Sequence, residues 1–198
     1  MENLLKIPYT VFNDWDLLQQ FLDRRGNPRY EIVGDVILYD RQDISDLGNL
    51  VRVDGDLDLR WSSIESLGNL VRVDGDLDLR WSSIKSLENL EYVGGNLYLN
   101  NTPIESFGNL VRVDGDLYLR GSSIKSLGNL VRVEGNLIVH ETSIQSLGSL
   151  EYVGAYLDLS YTSIQSLGNL KYVGDGIVVS SDHQIPKEQL TKFKINYA

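Results

Sequence analysis

A 20-residue period governs what this chain can fold into. Residues 47–64 read LGNLVRVDGDLDLRWSSI, and the same eighteen letters return at 67–84. Apolar residues recur in columns at that interval: Leu57 through Leu157 and then Ile177, Leu59 through Leu159 with Val139 among them and then Val179, Ile64 through Ile164, Leu50 through Leu170, and Val53 through Val173. One 20-residue unit cannot bury its own apolar side, so only stacked neighbours can cover it. The expected architecture is a solenoid.

Spacing within a unit says what each coil contains. In GDLDLR the apolar residues alternate, which points Leu57 and Leu59 inward from a short strand and Asp56, Asp58 and Arg60 outward. Between Leu50 and Val53 the spacing is three, and the intervening column holds Val51, Glu91, Glu151 and Lys171, so it faces water. We therefore expect one good strand per coil with an irregular return, which gives a single parallel sheet on one face. A parallel β-helix with several full strands per coil fits less well. The column Asn49, Asn69, Asn89, Asn109, Asn129 and Asn169, interrupted by Ser149, reads as a stacked amide ladder satisfying backbone groups at a corner. Asp54-Gly55 and its copies read as tight turns in which glycine takes a positive φ.

VDGDLDLRWSSI also carries an equivalent of L-x-x-L-x-L-x-x-N-x-L, with Ser62, Ser82, Thr102, Ser122, Thr142 and Thr162 where asparagine is usual. Over roughly residues 30–182 the chain resembles the leucine-rich repeats, in a short form similar to that of bacterial and bacteriophage proteins. The resemblance implies a mainly β, right-handed coil. The missing asparagine and the extra residue in VDGDL keep a parallel β-helix and a receptor-L-like solenoid open as alternatives.

The ends depart from the repeat. NDWDLLQQFLDRRGNP predicts a helix with Asn13 or Asp14 as N-cap, Trp15, Leu18 and Leu22 on one face, and Gly26 closing it before Pro28. IPKEQLTKFKIN predicts a short amphipathic helix from Pro186 carrying Leu190 and Phe193. The expected organisation is one structural domain: an N-terminal helical cap at 1–29, about seven coils at 30–182, and a C-terminal cap at 183–198. The first coil, Gly34 to Leu47, is one residue longer than the others.

Charge and chemistry narrow the function. A net charge of -10 opposes direct binding to a phosphate backbone. With no cysteine there are neither disulfides nor thiolate metal sites, which fits a reducing compartment. MENLLKIPYTVF lacks the apolar core of a signal peptide and no run reaches transmembrane length. A cytoplasmic protein of a bacterial or phage-infected cell, with no membrane contact, is the expectation. The Asp54, Asp56 and Asp58 columns invite a calcium site, which needs six to eight converging oxygens. Asn96 and Asn136 break one column, Tyr98, Tyr118 and Ile138 break another, and Arg60, Arg80 and Arg120 stand beside them. A solvated face with cross-strand Asp/Arg pairing is the simpler reading. His140 and His183 have no ligand spacing, and no phosphate loop or nucleophile elbow is present. An enzyme needs unlike groups converging on one point, whereas repetition makes rows of like groups. No catalytic residue, cofactor or metal is expected.

Outward strand positions are better suited to binding. Asp58, Arg60, Asp78, Arg80, Tyr98, Tyr118 and Arg120 share the strand face, and Trp61 and Trp81 lie just beyond it. Trp, Tyr and Arg are the residues enriched at binding hot spots. These nine residues form the expected partner-binding patch for another protein carrying a basic patch. The resemblance implies the same class, since leucine-rich repeats generally bind proteins, and its phage members suggest an inhibitor of a host enzyme or defence complex. Two alternatives remain: an acidic mimic of nucleic acid that blocks a DNA- or RNA-binding protein, and a carbohydrate-binding or carbohydrate-active solenoid.

Overall fold

The computed structural model describes residues 4–198; Met1, Glu2 and Asn3, the first part of the segment read as an N-terminal cap, lie outside the described residues. The repeat folds as a parallel β-solenoid of about eight turns. Each coil adds one strand to each of two nine-stranded sheets. The first sheet runs from Leu5–Pro8 through Tyr30–Val33 and Leu50–Val53, then in 20-residue steps from Arg72–Val73 to Tyr172–Val173. The second runs from Val36–Ile37 through Leu57–Asp58 and its copies to Gly176–Val179 and Ile195–Tyr197. The apolar columns fill the space between them, and Leu57, Leu77, Leu97, Val53 and Val73 are fully buried.

Two sheets replace the single sheet expected from spacing. Leu50 and its copies sit at the corner before a strand that is only two residues long in most coils, such as Arg72–Val73, with Arg72 outward and Val73 inward. Two residues are too few for a period of two to show. Register is fixed like upon like, with Leu57 beside Leu77 and Asp58 beside Asp78.

The glycines of the VDGD turn have a different cause from the one expected. Gly55, Gly75, Gly95, Gly115 and Gly135 are not among the residues with positive φ. A Cβ on Gly75 would stand 2.7 Å from the backbone of Gly55 and collide with the Asp56 carboxylate, so close approach between coils demands glycine. Positive φ belongs instead to the LGNL glycines, Gly48, Gly68, Gly108, Gly128, Gly148 and Gly168. Three buried hydroxyls of the Ser62 column serve their own coil: Ser62, Thr102 and Thr142 donate to Leu59, Leu99 and Val139 carbonyls at 2.7–2.8 Å, whereas the Ser82 and Ser122 hydroxyls have no partner. The asparagine column bonds backbone as expected, Asn89 donating to Gly68 O at 2.9 Å and Asn49 to Asn27 O at 2.7 Å. A direct amide-to-amide bond links Asn69 and Asn49.

Near the N-terminus a helix spans Trp15–Asp23, and the Asp14 carboxylate accepts the N–H groups of Asp16 and Leu17 at 2.9 and 3.0 Å. Its Trp15, Leu18 and Leu22 join the core. The longer first coil spends its extra residue between Asp40 and Asp46, where Arg41 reaches Asp16 of the helix at 2.8 Å. The C-terminal segment makes one helical turn, Lys187–Leu190, and then a strand that the sequence pattern does not announce, Ile195–Tyr197, which pairs with Gly176–Val179. An open sheet edge has unpaired N–H and C=O groups, and the chain end supplies partners for them. Side chains extend the closure: Gln189 accepts the Leu167 N–H at 2.8 Å and Lys192 donates to Leu170 O at 2.9 Å.

The two kinds of glycine separate under substitution. Gly75→Ala and Gly75→Asn are both expected to destabilise by about 2 kcal/mol or more, the range for overpacking. Gly168→Asn, with positive φ and its nearest neighbour at 3.9 Å, is expected to stay within about 0.5 kcal/mol. Urea unfolding of the three variants tests this, and tolerance of Gly75→Asn would restore the turn explanation.

Candidate functional site

The exposed face of the second sheet carries the candidate residues, and their geometry follows from the stacking. Asp58 accepts from Arg60 at 2.9 Å through Nε and 2.6 Å through Nη2, and Asp78 holds Arg80 in the same way at 2.9 and 2.5 Å. Pairing among these four groups is thus mostly within a coil and not cross-strand as expected, because each Arg reaches the Asp two residues before it; the longer Arg60–Asp78 contact, at 3.5 Å, crosses between coils. These hydrogen bonds raise both guanidinium pKa values. Tyr98 and Tyr118 are register partners, so their rings stack with centroids 5.2 Å apart and 2° between planes. Arg80 lies 5.0 Å from the Tyr98 ring centroid. The Tyr118 hydroxyl donates to Asp116 at 2.7 Å, and that bond, with burial behind it, pushes the phenol up to about 12.

One groove collects most of these groups. It measures about 570 Å³ and is lined by Arg80, Trp81, Tyr98, Tyr118 and Arg120, together with Asn100, Asn101, Gly121 and Glu141. Arg120 and Glu141 form its outer rim, paired at 2.8 Å with both side chains more than half exposed. Asp58, Arg60 and Trp61, one coil earlier, and Asp78 lie outside the groove lining. Sequence reading missed Asn100, Asn101, Gly121 and Glu141. Their signal was present: Trp61 and Trp81 are followed in the same column by Asn101 and Gly121, and the loss of bulk there opens the groove.

That column is conformationally costly. Asp40, Trp61, Trp81, Asn101, Gly121, Glu141 and Tyr161 all have left-handed backbone, with φ of 55° and 63° at the two tryptophans. Asp, Asn and Gly enter this region readily, whereas bulky side chains are outliers there. Trp61 and Trp81 are 51% and 55% exposed, so about half of each residue stays open to contact.

The Asp56 column is stitched rather than simply solvated, which corrects the plain charged-face reading. Each Oδ1 accepts the backbone N–H of the next coil: Asp35 from Asp56 at 2.9 Å, Asp56 from Asp76 at 2.7 Å, Asp76 from Asn96 at 2.7 Å, and Asn96 from Asp116 at 2.8 Å. Asn can replace Asp because both present an Oδ1. Among the described residues no group of three His, Cys, Asp or Glu is placed to hold a metal ion.

A second row stands on the first sheet. Arg52 and Arg72 share the Asp74 carboxylate, and Arg112 and Arg132 share Glu134. Arg72 lies 3.9 Å from the Tyr92 ring centroid and Arg132 3.5 Å from that of Tyr152, which stacks on Tyr172 at 4.8 Å. Burial pushes the Asp74 and Asp114 carboxyls up, but hydrogen bonds from Arg52 and Arg72 to the first, and from Tyr92 and Arg112 to the second, outweigh it and leave both below the ordinary value. Glu134 is lowered by Arg132. The sequence pattern assigns these arginines to no sheet, because two-residue strands show no alternation.

Comparison with protein-family models, with curated proteins and with solved structures finds no match. Among the described residues no helix is long and apolar enough to cross a membrane.

Two outcomes follow from these contacts. Asp76→Ala is expected to cost about 1–2 kcal/mol by orphaning a backbone N–H, while Asp76→Asn keeps the acceptor and stays within about 0.5 kcal/mol. Equal losses in both variants on urea unfolding would point to charge as the operative feature. The lowered carboxylates contribute stability that is present above their unfolded pKa values, near 4, and is lost as pH falls through their lower folded values. Arg72→Gln and Arg112→Gln are therefore expected to move the acid-unfolding midpoint, followed by circular dichroism, to higher pH. An unmoved midpoint would mean that these pairs do not couple to folding.

Proposed function

We propose that this chain is a non-enzymatic protein-binding solenoid that recognises its partner through the second-sheet face and the groove at Trp81, Tyr98 and Tyr118. One observation carries the reading: tryptophan at two successive left-handed, half-exposed positions, where the neighbouring coils use Asn101 and Gly121. A residue that strains the backbone without filling the core is retained for what it contacts. Around it stand the stacked tyrosines and paired arginines typical of hot spots, with acidic groups that suit a basic patch on the partner. The likeness to leucine-rich repeats, right-handed and closed by caps at 1–29 and 183–198, supports the same class and remains part of this proposal. Inhibition of a host enzyme or defence complex in a bacterial or phage-infected cell is the specific role we attach to it.

Mimicry of nucleic acid is the weaker reading. Asp56, Asp76 and Asp116 each spend an oxygen on backbone N–H groups, and Asp58 and Asp78 are held by Arg60 and Arg80. A carbohydrate reading has the stacked tyrosines and the Asn100 and Asn101 amides in its favour, but the groove is shared with a charged rim.

The test uses relief of strain. Trp81→Asn installs a residue suited to left-handed backbone and is expected to raise stability by about 1 kcal/mol. The same change, and Tyr118→Ala, should weaken a partner captured from host lysate at least about tenfold in titration calorimetry. Glu91→Ala and Glu151→Ala, on the other sheet, should leave that affinity unchanged. A Trp81→Asn variant that binds normally, or binding displaced by unrelated DNA, would sink the proposal.

A further inference from the structure

The first sheet contains coils of two kinds. Beyond the two strands that carry Lys6 and Glu31, its outward residue is arginine in four coils (Arg52, Arg72, Arg112, Arg132) and tyrosine in three (Tyr92, Tyr152, Tyr172). Arginine coils read Val-Arg-Val followed by Asp or Glu, as at 51–54 and 131–134. Coils with Tyr92 and Tyr152 read Glu-Tyr-Val-Gly, so the carboxylate moves from one side of the row to the other. The order is Arg, Arg, Tyr, Arg, Arg, Tyr, Tyr. Nothing in the core requires it, since Val53, Val73, Val93, Val113, Val133 and Val153 are fully buried in both kinds.

The row is organised for contact. Shared carboxylates and stacked rings hold the guanidinium groups in place, so little side-chain freedom is left to lose. Each guanidinium has five donors; the Asp74 carboxylate takes the Nε and Nη2 groups of Arg52, and Glu31 stands 3.8 Å from its Nη1, which leaves further N–H groups for a partner. Val111 and Tyr172 add exposed apolar surface, at 45% and 48%. Lys171 is the one lysine in the columns that begin at Val51, Arg52 and Asp54. Arg and Tyr with few lysines is the composition of an interface rather than of a solvated face.

We infer that the occupant of this face is a second copy of the chain, packed antiparallel about a two-fold axis through the Arg112 coil. That axis sets Arg52 against Tyr172, Arg72 against Tyr152, and Arg132 against Tyr92, so guanidinium donors meet phenol oxygens in both directions. It also sets Asp74 against Gly154 and Glu134 against Gly94, which keeps carboxylates apart. The exception is the axial coil, which sets Arg112 and Asp114 against their own copies, and there Arg112 is paired with Asp114 and Glu134 of its own chain. The complementarity is specific to this axis. A parallel arrangement puts arginine on arginine in four coils, and moving the axis by half a coil puts Arg132 against Arg72 or against Arg112. Six coil steps at about 4.8 Å make the face about 29 Å long, and a width of four to five residues gives on the order of 450 Å² per copy. That is well under the roughly 800 Å² of a standard partner surface, so the dimer is weak and concentration-dependent. It leaves the second-sheet face free for a different partner.

The absence of cysteine makes the test direct. Packed sheets lie about 10 Å apart, a gap that a bis-maleimide of similar span can bridge. Val111→Cys, in the axial coil, is expected to cross-link to itself. Val71→Cys should not do so, yet should cross-link to Glu151→Cys when the two variants are mixed. Sedimentation equilibrium should show a monomer–dimer equilibrium weakened at least about tenfold by Tyr152→Ala and partly by Tyr152→Phe, and unchanged by Trp81→Asn. Melting curves that match the wild type show that the variants are folded. A monomer at millimolar concentration, self-linking of Val71→Cys as efficient as that of Val111→Cys, or loss of the dimer in Trp81→Asn would overturn the inference.

Discussion

Everything in this molecule depends on the backbone hydrogen bonds that join one coil to the next. Val71 donates to Val51 O and Asp74 to Val53 O at 2.9 Å in the first sheet, while Leu57 and Leu59 donate to Asp76 O and Asp78 O at 2.8 Å in the second. Two sheets bonded in the same register hold each coil at both faces. A slip of one residue would turn Leu57 outward and Asp58 inward along the whole stack. Identical side chains must consequently stand about 4.8 Å apart, and each column has to be chemically stable against itself.

Different columns meet that condition in different ways. Leucine, isoleucine and valine stack without conflict, and asparagine stacks by bonding the backbone of the previous coil. Carboxylates in a row repel, and the chain answers with Arg60 and Arg80 beside Asp58 and Asp78, and with Asn96 and Asn136 between the aspartates of the neighbouring column. Glycine occupies the turn in five successive coils, where two backbones approach too closely for an unshifted Cβ, and only then gives way to Ala155. Repetition in this form builds a scaffold cheaply, but it also spreads any feature along the whole face. Recognition has to come from departures from the repeat. The groove arises where Trp81 gives way to Asn101 and Gly121, and the opposite face acquires its pattern where tyrosine replaces arginine.

The sequence by itself determined the solenoid, its 20-residue coil, the inward columns and the residue types on the strand face, because a long period of apolar residues can be buried only by stacking. It also announced the helix at Trp15–Asp23 and the longer first coil. Tertiary structure decided the rest. The second sheet was hidden because two-residue strands are shorter than the pattern that would reveal them. Gly75 looked like a turn residue because a clash between coils 20 residues apart leaves no local trace. The left-handed strain at Trp61 and Trp81, and the bond from Asp56 to the next coil, depend on backbone angles and stacking that composition does not encode. Columns are a property of the chain, but what one column touches is settled only when the coils close upon each other.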